Sequence, residues 1–374
     1  MSTATGRLTI DLNAVRANWR RVSAQTPEPP AAVIKADAYG LGADPVGNSL
    51  YRAGCREFFL ATLEEAIAAR RFLPADARLY VLGGARPGEE RECMTQGLVP
   101  VLYSLPAIDR WARACRFEGR AAPSAVKIDT GMTRLGLSDS EWQQLREDPA
   151  LLNAAHPILW MSHLACADEY DHPMNRQQQQ AFARRCAEVR TLVPDIRCSL
   201  ANSSGIFLGA DWHFDLARTG AALYGYDPHL DRTPAMQPVV QLELPVLQVR
   251  ELTGEVSIGY GATEQRPAGT RLAVVAGGYA DGLNRTIGRQ GAKGILGDRE
   301  VPVVGRISMD TTVFDVTGTA LPAEPEQAYV RVLDERLTLS HVTHRSGALG
   351  YEVLTSLAGR YRRIYRDQEA HDPS

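Results

Sequence analysis

The 374-residue sequence lacks several features that would assign it to a specialised class of protein. It has no run of 18 or more apolar residues, so we predict no transmembrane helix and no membrane partner. Its six cysteines are scattered without a CxxC pair, so we predict neither a disulfide framework nor a metal site. The segment MSTATGRLTIDL lacks the basic and apolar regions of a secretory signal. We therefore expect a cytoplasmic protein with reduced thiols.

An excess of charge of either sign is also missing. The chain has 41 basic and 44 acidic side chains, for a formal net charge of -3. Binding of nucleic acid through bulk electrostatics needs an excess of positive charge, so we expect no nucleic-acid partner. Because the chain is longer than the roughly 150 residues of a typical domain, we predict two domains with substantial hydrophobic cores.

Eight short apolar runs, rich in β-branched or aromatic residues, occupy the first part of the chain. Segments with helical periodicity separate them. The runs span residues 31–35, 57–61, 78–83, 98–103, 125–129, 157–162, 197–202 and 214–220. Eight repeats of strand and helix predict an α/β fold of the (β/α)8 TIM-barrel type, with an open doubly wound sheet as the alternative.

The character of the sequence changes after about residue 230, where proline and glycine become denser. Runs such as VVQLELPVLQV, RLAVVAGGYA and TTVFDV predict strands there, with few helical periods before residue 350. We therefore predict a barrel domain over residues 8–232 and a C-terminal, mainly-β domain over residues 233–374. Residues 1–12 include a strand-like segment that can join either domain and add a strand to the second.

Polar side chains follow several of the predicted strands, at the edge where barrel enzymes place their chemistry. Lys35 ends the first run, Lys127 lies in the fifth run, which leads to Arg134, and His163 follows the sixth. A lysine that closes a buried strand is costly to keep charged, and burial lowers its pKa. On its own, however, a lysine at a strand end is more often simply exposed.

The ends of the last two runs carry hydroxyl, amide and backbone groups suited to a phosphate. They contain Asn202, Ser203, Arg218, Gly220 and Ala221. The loops after the last two strands of such barrels commonly bind phosphate. A lysine able to form an imine, opposite a phosphate site, indicates pyridoxal phosphate. Ordinary turn chemistry is the alternative explanation for Asn202, Ser203 and Gly220.

Segments spread over residues 31 to 355 resemble the signature segments of a known family. They read AVIKADAYGLGA, KIDTGMTRLG, SHLACADE, LANSSGIF, ARTGAALYGYDP, SIGYGATE, VVGRISMD and GYEVL, in that order. The sequence thus resembles the fold-type III alanine racemases across both predicted domains. The resemblance implies an N-terminal barrel, a C-terminal β domain and a head-to-tail homodimer in which each active site is built from both chains.

The same resemblance implies roles for individual residues. Lys35 would hold pyridoxal 5'-phosphate as an imine and act as one catalytic acid/base group, and Tyr260, lent by the partner chain, would act as the other. The remaining cofactor contacts would be Tyr39, His163, Asn202, Ser203, Arg218, Gly220, Ala221 and Tyr351. The substrate contacts would be Arg134, Met309 and Asp310. Tyr279, Arg285 and Arg306 lie in segments that resemble the substrate entrance.

Lys127 occupies a position that is often carbamylated in this family, where the new anion steadies the nearby arginine. An unmodified lysine paired with an acidic neighbour is the alternative. Arg218 would face the pyridine nitrogen, and because a guanidinium cannot accept a proton, it would moderate the electron-withdrawing power of the ring.

Tyr260 loses its proton only near pH 10 in water, so as a base it would need nearby positive charge or hydrogen-bond donors. His163 and Arg218 would supply them. Spacing alone favours a different interpretation, in which Tyr260 is a packed aromatic in a glycine-rich loop, and only the family resemblance overturns it. The chain departs from the family pattern just after this motif, where Glu264 and Gln265 stand in place of an aromatic residue common in relatives.

We therefore expect a racemase that interconverts L-alanine and D-alanine by a two-base mechanism on the Schiff base between substrate and cofactor. It would supply D-alanine for peptidoglycan or catabolise it. The alternatives are a non-catalytic, pyridoxal-phosphate-binding homeostasis protein with the same barrel, or a racemase of broader or serine specificity. The second domain and the tyrosine base count against the homeostasis protein.

Overall fold

The structure is a computed structural model that describes residues 6–227, 229, 236–283, 291–340, 342, 350–357 and 359–368. These residues form two compact units. The barrel unit contains 16–223, 227 and 229; the β-rich unit contains 6–15, 224–226 and the described residues from 236 onward. Within the described ranges, no helix is both long and apolar enough to cross a membrane.

The barrel unit is built on eight parallel strands, which confirms the predicted barrel architecture and rules out the open doubly wound sheet. Strand β1 (Arg7–Asp11) precedes them and belongs to the β-rich unit. The barrel strands are β2 (Ala31–Val33), β3 (Glu57–Leu60), β4 (Arg78–Val81), β5 (Val99–Leu102), β6 (Ser124–Lys127), β7 (Pro157–Met161), β8 (Arg197–Ser199) and β9 (Arg218–Thr219). Their spatial order runs from β8 down to β2 and then to β9. The Arg218 N–H donates to the carbonyl of Ala201 at 2.9 Å, so the barrel nearly closes between β9 and the segment after β8.

The interior of the barrel is packed with apolar side chains from successive strands. Phe59 and Tyr80 stack there with ring centroids 4.3 Å apart. The other members of this buried cluster are Ala31, Val33, Val99, Val101, Ala125, Leu159, Met161 and Leu216. These side chains fill the barrel interior, so its chemistry is confined to the rim at the strand ends.

Helices alternate with the strands and begin at clear start signals. Thr62, Ser104 and Ser138 each accept a hydrogen bond from a backbone N–H of the first turn that follows. The helices are α1 (Leu12–Ser23), α2 (Ala43–Arg52), α3 (Leu63–Arg70), α4 (Glu90–Thr95), α5 (Leu105–Phe117), α6 (Asp139–Glu147), α7 (Pro149–Ala154), α8 (Pro173–Leu192) and α9 (Ser203–Ile206). All six cysteines are free, as expected from their spacing.

The β-rich unit confirms the predicted mainly-β C-terminal fold. Its strands after β1 are β10 (Val240–Glu251), β11 (Val256–Ile258), β12 (Glu264–Arg266), β13 (Arg271–Ala276), β14 (Lys293–Leu296), β15 (Arg299–Pro302), β16 (Thr311–Asp315), β17 (Tyr329–Leu333) and β18 (Arg362–Arg366). Helix α10 (Gly350–Ser356) also belongs to this unit. The N-terminal strand β1 lies inside this sheet, antiparallel to β10 and parallel to β18. Strands β11 and β12 form a separate hairpin.

Candidate active site

The segment that follows Lys35 is a turn of left-handed helix. The φ angles of Ala36, Asp37, Ala38 and Tyr39 lie between 52° and 56°. For residues with a Cβ this conformation costs about 1–2 kcal/mol each, and a run of four is far outside ordinary helix geometry. Strained backbone of this kind persists where the surroundings fix it, commonly at functional sites. The Lys35 side chain leaves the barrel rim at the start of this turn.

The turn brings Tyr39 against the end of the last barrel strand. A Cβ placed on Gly220 would lie 2.6 Å from the Tyr39 hydroxyl, so a larger residue at this position would displace the Tyr39 ring. The Ser203 hydroxyl accepts hydrogen bonds from the backbone N–H groups of Gly220 at 2.9 Å and Ala222 at 3.2 Å. Asn202 caps the short helix α9 by accepting from the N–H of Gly205 at 2.8 Å. The barrel unit therefore gathers the predicted phosphate-site residues of both strand ends.

Arg218 is buried beneath this rim, with 4% of its surface exposed. Its guanidinium donates to the Ser199 hydroxyl, to the carbonyl of Ser162 at 2.6 Å and to that of Leu200 at 3.3 Å. Burial lowers the pKa of Arg218 to about 10, so the group stays charged at neutral pH. Among the residues that the structure describes, no carboxylate pairs with it. The site thus contains a fixed, uncompensated positive charge.

His163 lies beside Arg218, with its Nδ1 3.3 Å from the guanidinium nitrogen Nη2. Burial, and then the charges of Arg218 and Lys127, lower the pKa of His163 well below its usual value. The imidazole is therefore neutral at neutral pH. Because a guanidinium only donates, Nδ1 accepts and the proton sits on Nε2. His163 contributes a hydrogen-bonding ring, and the positive charge of the pair comes from Arg218 alone.

Lys127, at the end of β6, adds a further cation to the same rim. Its side chain is buried, and burial together with Arg218 and Arg134 lowers its pKa to about 8. Asp129 raises that pKa, but its Oδ1 is occupied by the N–H groups of residues 131, 132 and 133 at 2.9 to 3.1 Å. These three hydrogen bonds fix the loop that carries the exposed Arg134. Lys35, Lys127, Arg134 and Arg218 therefore form a cationic cup that favours anionic ligands.

The other predicted site residues belong to the β-rich unit. Tyr260 is 67% exposed, in the turn Tyr260–Ala262 that joins β11 and β12. Met309 is 52% exposed, and its neighbour Asp310 accepts from Arg360 at 2.8 Å. Tyr351, on α10, lies edge-on to Tyr226 with ring centroids 6.2 Å apart.

The predicted entrance residues are also in this unit, where the structure describes them. Tyr279 is exposed, and the guanidinium of Arg306 lies 3.2 Å from where a Cβ on Gly261 would be. Arg285 lies outside the described residues. The turn that holds Tyr260 is thus backed by Arg306.

Known proteins resemble this chain over nearly its whole length. Residues 10–228 match the family model for the alanine racemase N-terminal domain, and residues 239–365 match that for the C-terminal domain. The chain belongs to the alanine racemase family. The alanine racemase of Rhodospirillum rubrum is 47% identical over 97% of this chain and 96% of its own length. A catabolic alanine racemase of Agrobacterium fabrum is 43% identical over 97% of this chain and 92% of its own length.

Solved structures of alanine racemases also resemble the structure of this chain. The Bartonella henselae alanine racemase, crystallised with covalently bound pyridoxal phosphate, is 36% identical and superimposes with a TM-score of 0.90 over 97% of this chain and all of that one. The Streptomyces coelicolor alanine racemase is 30% identical, with a TM-score of 0.89 over 97% of this chain and 98% of its own.

Two polar residues that hold the candidate site in place were not predicted from the sequence. Ser199 accepts from Arg218 and itself donates to the carbonyl of Leu216 at 2.5 Å. Gln178, buried on α8, donates to the carbonyl of His163 at 3.0 Å and accepts from the N–H of Ala165 at 2.8 Å. The run of four glutamines is visible in the sequence, but only packing shows which one faces the barrel.

Glu264, the departure from the family pattern, has a structural role in the alanine racemase fold seen here. Its Oε2 accepts from the N–H of Gly305 at 2.6 Å, and its other oxygen pairs with Arg266. Arg266 also contacts Asp315 at 3.6 Å. The carboxylate therefore ties the hairpin that carries Tyr260 to the neighbouring segment.

Proposed function

We propose that this chain interconverts L-alanine and D-alanine, with pyridoxal 5'-phosphate held covalently by Lys35. The observation that carries the proposal is the half-buried amine of Lys35 at a strand end, beside a cationic cup. Burial, and then the charge of Arg134, lower the pKa of Lys35, which enlarges the fraction of neutral, nucleophilic amine. The names of the relatives, and the covalently bound cofactor of the Bartonella henselae structure, support the same activity.

The residues present fit an anionic aldehyde cofactor. Ser203 offers its hydroxyl at one end of the rim, where it also holds the backbone of Gly220 and Ala222 beside the Asn202-capped start of α9. The Tyr39 hydroxyl packs against Gly220 and would complete the phosphate contacts with Ala221. The cationic cup supplies positive charge for the phosphate and the phenolate oxygen.

Arg218 would face the pyridine nitrogen. When bound, pyridoxal phosphate would supply an electron sink that acidifies the substrate Cα–H. Arg218 can only donate to that nitrogen and remains charged, so the nitrogen is not protonated by this side chain. Its fixed position is set by Ser199 and the carbonyls of Ser162 and Leu200. The guanidinium would therefore moderate the electron-withdrawing power of the ring, which suits a reaction in which the proton removed from Cα is only returned to it.

Racemisation needs a proton removed from one face of Cα and returned to the other. The Lys35 amine would move the proton on one face, and the Tyr260 hydroxyl of the partner subunit would move it on the other. Neutral His163 offers its Nε2–H as a donor and Arg218 offers charge, which together would favour the phenolate form of the tyrosine. The side chain of Tyr260 is 67% exposed and so accessible to a partner chain, which supports this role.

The cup also favours a carbamylated Lys127. Carbamylation requires a neutral amine, and the pKa of Lys127 is lowered to about 8. The resulting anion would sit between Arg218 and Arg134, which replaces an unpaired buried cation by a paired anion. Arg134 would then be steadied for binding the substrate carboxylate or the cofactor phenolate, while Met309 and Asp310 of the partner subunit approach the substrate.

The same proposal includes the oligomeric state, the location and the partners: a homodimer with shared sites, located in the cytoplasm and without nucleic acid or membrane partners.

A mixing experiment tests the shared site. In a mixed dimer of Lys35→Ala and Tyr260→Phe chains, one of the two sites would contain both bases. Mixing the two inactive variants should restore up to about a quarter of the wild-type activity. No recovery, despite demonstrated subunit exchange, would contradict a shared site.

The experiment that tests the function is chirally resolved turnover of a panel of small amino acids. We expect alanine to be racemised fastest, with serine a slow second substrate because a small pocket rejects one added hydroxyl only weakly. Absence of any racemisation by cofactor-loaded protein would favour a non-catalytic cofactor-binding protein. Equal rates on long side chains would favour a racemase of broad specificity.

A further inference from the structure

Glu65 joins the ends of the first two barrel strands. Its Oε1 accepts from the backbone N–H of Ala36 at 2.9 Å, and its Oε2 accepts from that of Ala61 at 2.8 Å. Ala36 directly follows Lys35, and Ala61 directly follows β3. One carboxylate therefore spans the rim at the point where the Lys35 side chain emerges.

The position of Glu65 is itself fixed by helix α3. Its backbone N–H donates to the Thr62 hydroxyl at 3.3 Å, which caps the first turn of that helix. A carboxylate in the first turn also interacts favourably with the helix dipole. Because both oxygens are engaged by backbone N–H groups, the carboxylate cannot turn away without losing two charge-assisted hydrogen bonds.

The segment held by Glu65 is the strained one. Ala36 is the first of the four left-handed residues, and its N–H is the group that Glu65 accepts from. A strained turn remains in place only when the surrounding structure over-determines it. The Glu65 contact is one such constraint, and it acts on the peptide that carries Lys35.

The charge of Glu65 also acts on Lys35. Burial and Arg134 lower the pKa of Lys35, whereas Glu65 raises it. The other nearby groups that interact with Lys35 are Lys127, a cation of the cup, and neutral His163 beside it. Glu65 is therefore the acidic group that opposes the cationic cup at Lys35.

We propose that Glu65 is a positioning residue for Lys35, which holds the left-handed turn and sets a negative charge beside the amine. This inference rests on the proposed role of Lys35 in holding the cofactor. It predicts two separable effects, one on the backbone of the turn and one on the ionisation of the amine.

The test compares Glu65→Gln with Glu64→Gln, a matched change of the exposed neighbour on the same helix. The chain has three lysines, Lys35, Lys127 and Lys293, so amine labelling can be read residue by residue. The full-length chain, freed of cofactor, is pulsed with acetic anhydride between about pH 6 and 10 and analysed by peptide mass spectrometry. Lys293, in the β-rich unit, serves as the internal reference.

Removal of the negative charge should move the midpoint of Lys35 labelling to lower pH in Glu65→Gln and leave it unchanged in Glu64→Gln. A purely structural residue would not move this midpoint. Glu65→Asp, which keeps the charge, should restore the wild-type midpoint. Coincident midpoints for Glu65→Gln and Glu64→Gln would overturn the inference.

The backbone effect is measured by thermal unfolding. In Glu65→Gln an amide –NH₂ replaces one acceptor oxygen, so the melting temperature should fall by roughly 3–8 °C relative to Glu64→Gln. If Glu65→Gln does not yield folded protein, Glu65→Asp is compared with Glu64→Asp. A lower melting temperature for Glu65→Asp supports the inference, and equal values contradict it.

Failure of the inference and failure of the proposed function give different results. Borohydride reduction of the wild-type holoenzyme should attach the cofactor to Lys35; attachment elsewhere would overturn both the proposed function and the inference built on it. With attachment at Lys35 shown, kcat/KM should fall on the order of 10- to 100-fold in Glu65→Gln. Unchanged kcat/KM in that variant would overturn only the role of Glu65.

Discussion

The barrel unit and the β-rich unit present their candidate site residues in opposite ways. In the barrel unit, Arg218 is 4% exposed, and its hydrogen bonds and those of Ser203 fix the rim. In the β-rich unit, Tyr260 and Met309 are 67% and 52% exposed. The difference shows that the cofactor contacts proposed in the barrel unit are fixed by hydrogen bonds within that fold. The groups proposed to meet the substrate from the other side are displayed on a surface.

Removal of Lys35, the proposed base in the barrel unit, should have the largest effect. Lys35→Ala takes away both the covalent attachment and one acid/base group, so turnover should be abolished and the imine absorbance near about 420 nm lost. Lys293→Ala, which removes an exposed lysine paired with Glu300, is the control and should keep both. An unchanged spectrum in Lys35→Ala would rule out the proposed attachment.

Removal of Tyr260, the proposed base in the β-rich unit, should have the next largest effect. Tyr260→Phe should lower kcat by about 10² to 10⁴, and the fall in kcat should be larger when the reaction starts from L-alanine. Because the two enantiomers have the same free energy, kcat/KM must nevertheless fall by the same factor in both directions. Tyr365→Phe, another exposed tyrosine of the β-rich unit, should leave the rates unchanged. Full activity of Tyr260→Phe would mean that the β-rich unit supplies no base.

A smaller effect, on the free energy of unfolding, should distinguish the buried Lys127 from the exposed Lys293. In cofactor-free, bicarbonate-free protein the pKa of Lys127 is lowered to about 8, against 10.5 in an unfolded chain. The buried ammonium therefore destabilises the fold fully below about pH 8, and this penalty is relieved as the pH rises from about 8 to 10.5.

Lys127→Met should accordingly raise the free energy of unfolding at pH 7 by about 1–3 kcal/mol, and the gain should shrink toward pH 10.5. Denaturant unfolding at several pH values measures it. Lys293→Met, at an exposed salt bridge, should change stability by less than about 0.5 kcal/mol. A destabilised Lys127→Met at pH 7 would contradict the unpaired, buried charge.

The smallest effect concerns the left-handed turn. Ala36 is exposed with φ of 52°, so Ala36→Gly relieves Cβ strain at the cost of some backbone entropy. We expect a gain of about 0.5 kcal/mol in the free energy of unfolding. Ala114→Gly, within the right-handed helix α5, should instead cost about 1 kcal/mol. Similar losses in both variants would show that the turn is unstrained.

The sequence predicts the barrel well because its signals are local. Each strand is a short apolar run, and the chemical groups follow where the runs stop, as Lys35 and His163 do. It predicts the β-rich strands, such as β10 and β13, for the same reason. The length of β10 and the alternation of residue types along it can be recognised from the sequence alone.

The contacts that fix the site are not local, and the sequence does not reveal them. Glu65 meets Ala36 across 29 positions, and Gln178 meets His163 across 15. The left-handed turn is also hidden, because alanine at positions 36 and 38 gives no sign of positive φ. Whether His163 is charged depends on burial and on Arg218, which only the folded barrel brings together.

The most direct test of the two-base proposal is exchange of the alanine α-hydrogen with D₂O in Tyr260→Phe. In the two-base proposal Tyr260 removes the α-hydrogen of L-alanine and Lys35 that of D-alanine. With Lys35 intact, D-alanine should therefore exchange its α-hydrogen for deuterium without forming L-alanine, while L-alanine should not exchange. The ratio of exchange to racemisation, read by mass spectrometry on separated enantiomers, measures this. Exchange of L-alanine as fast as D-alanine in this variant would contradict the account.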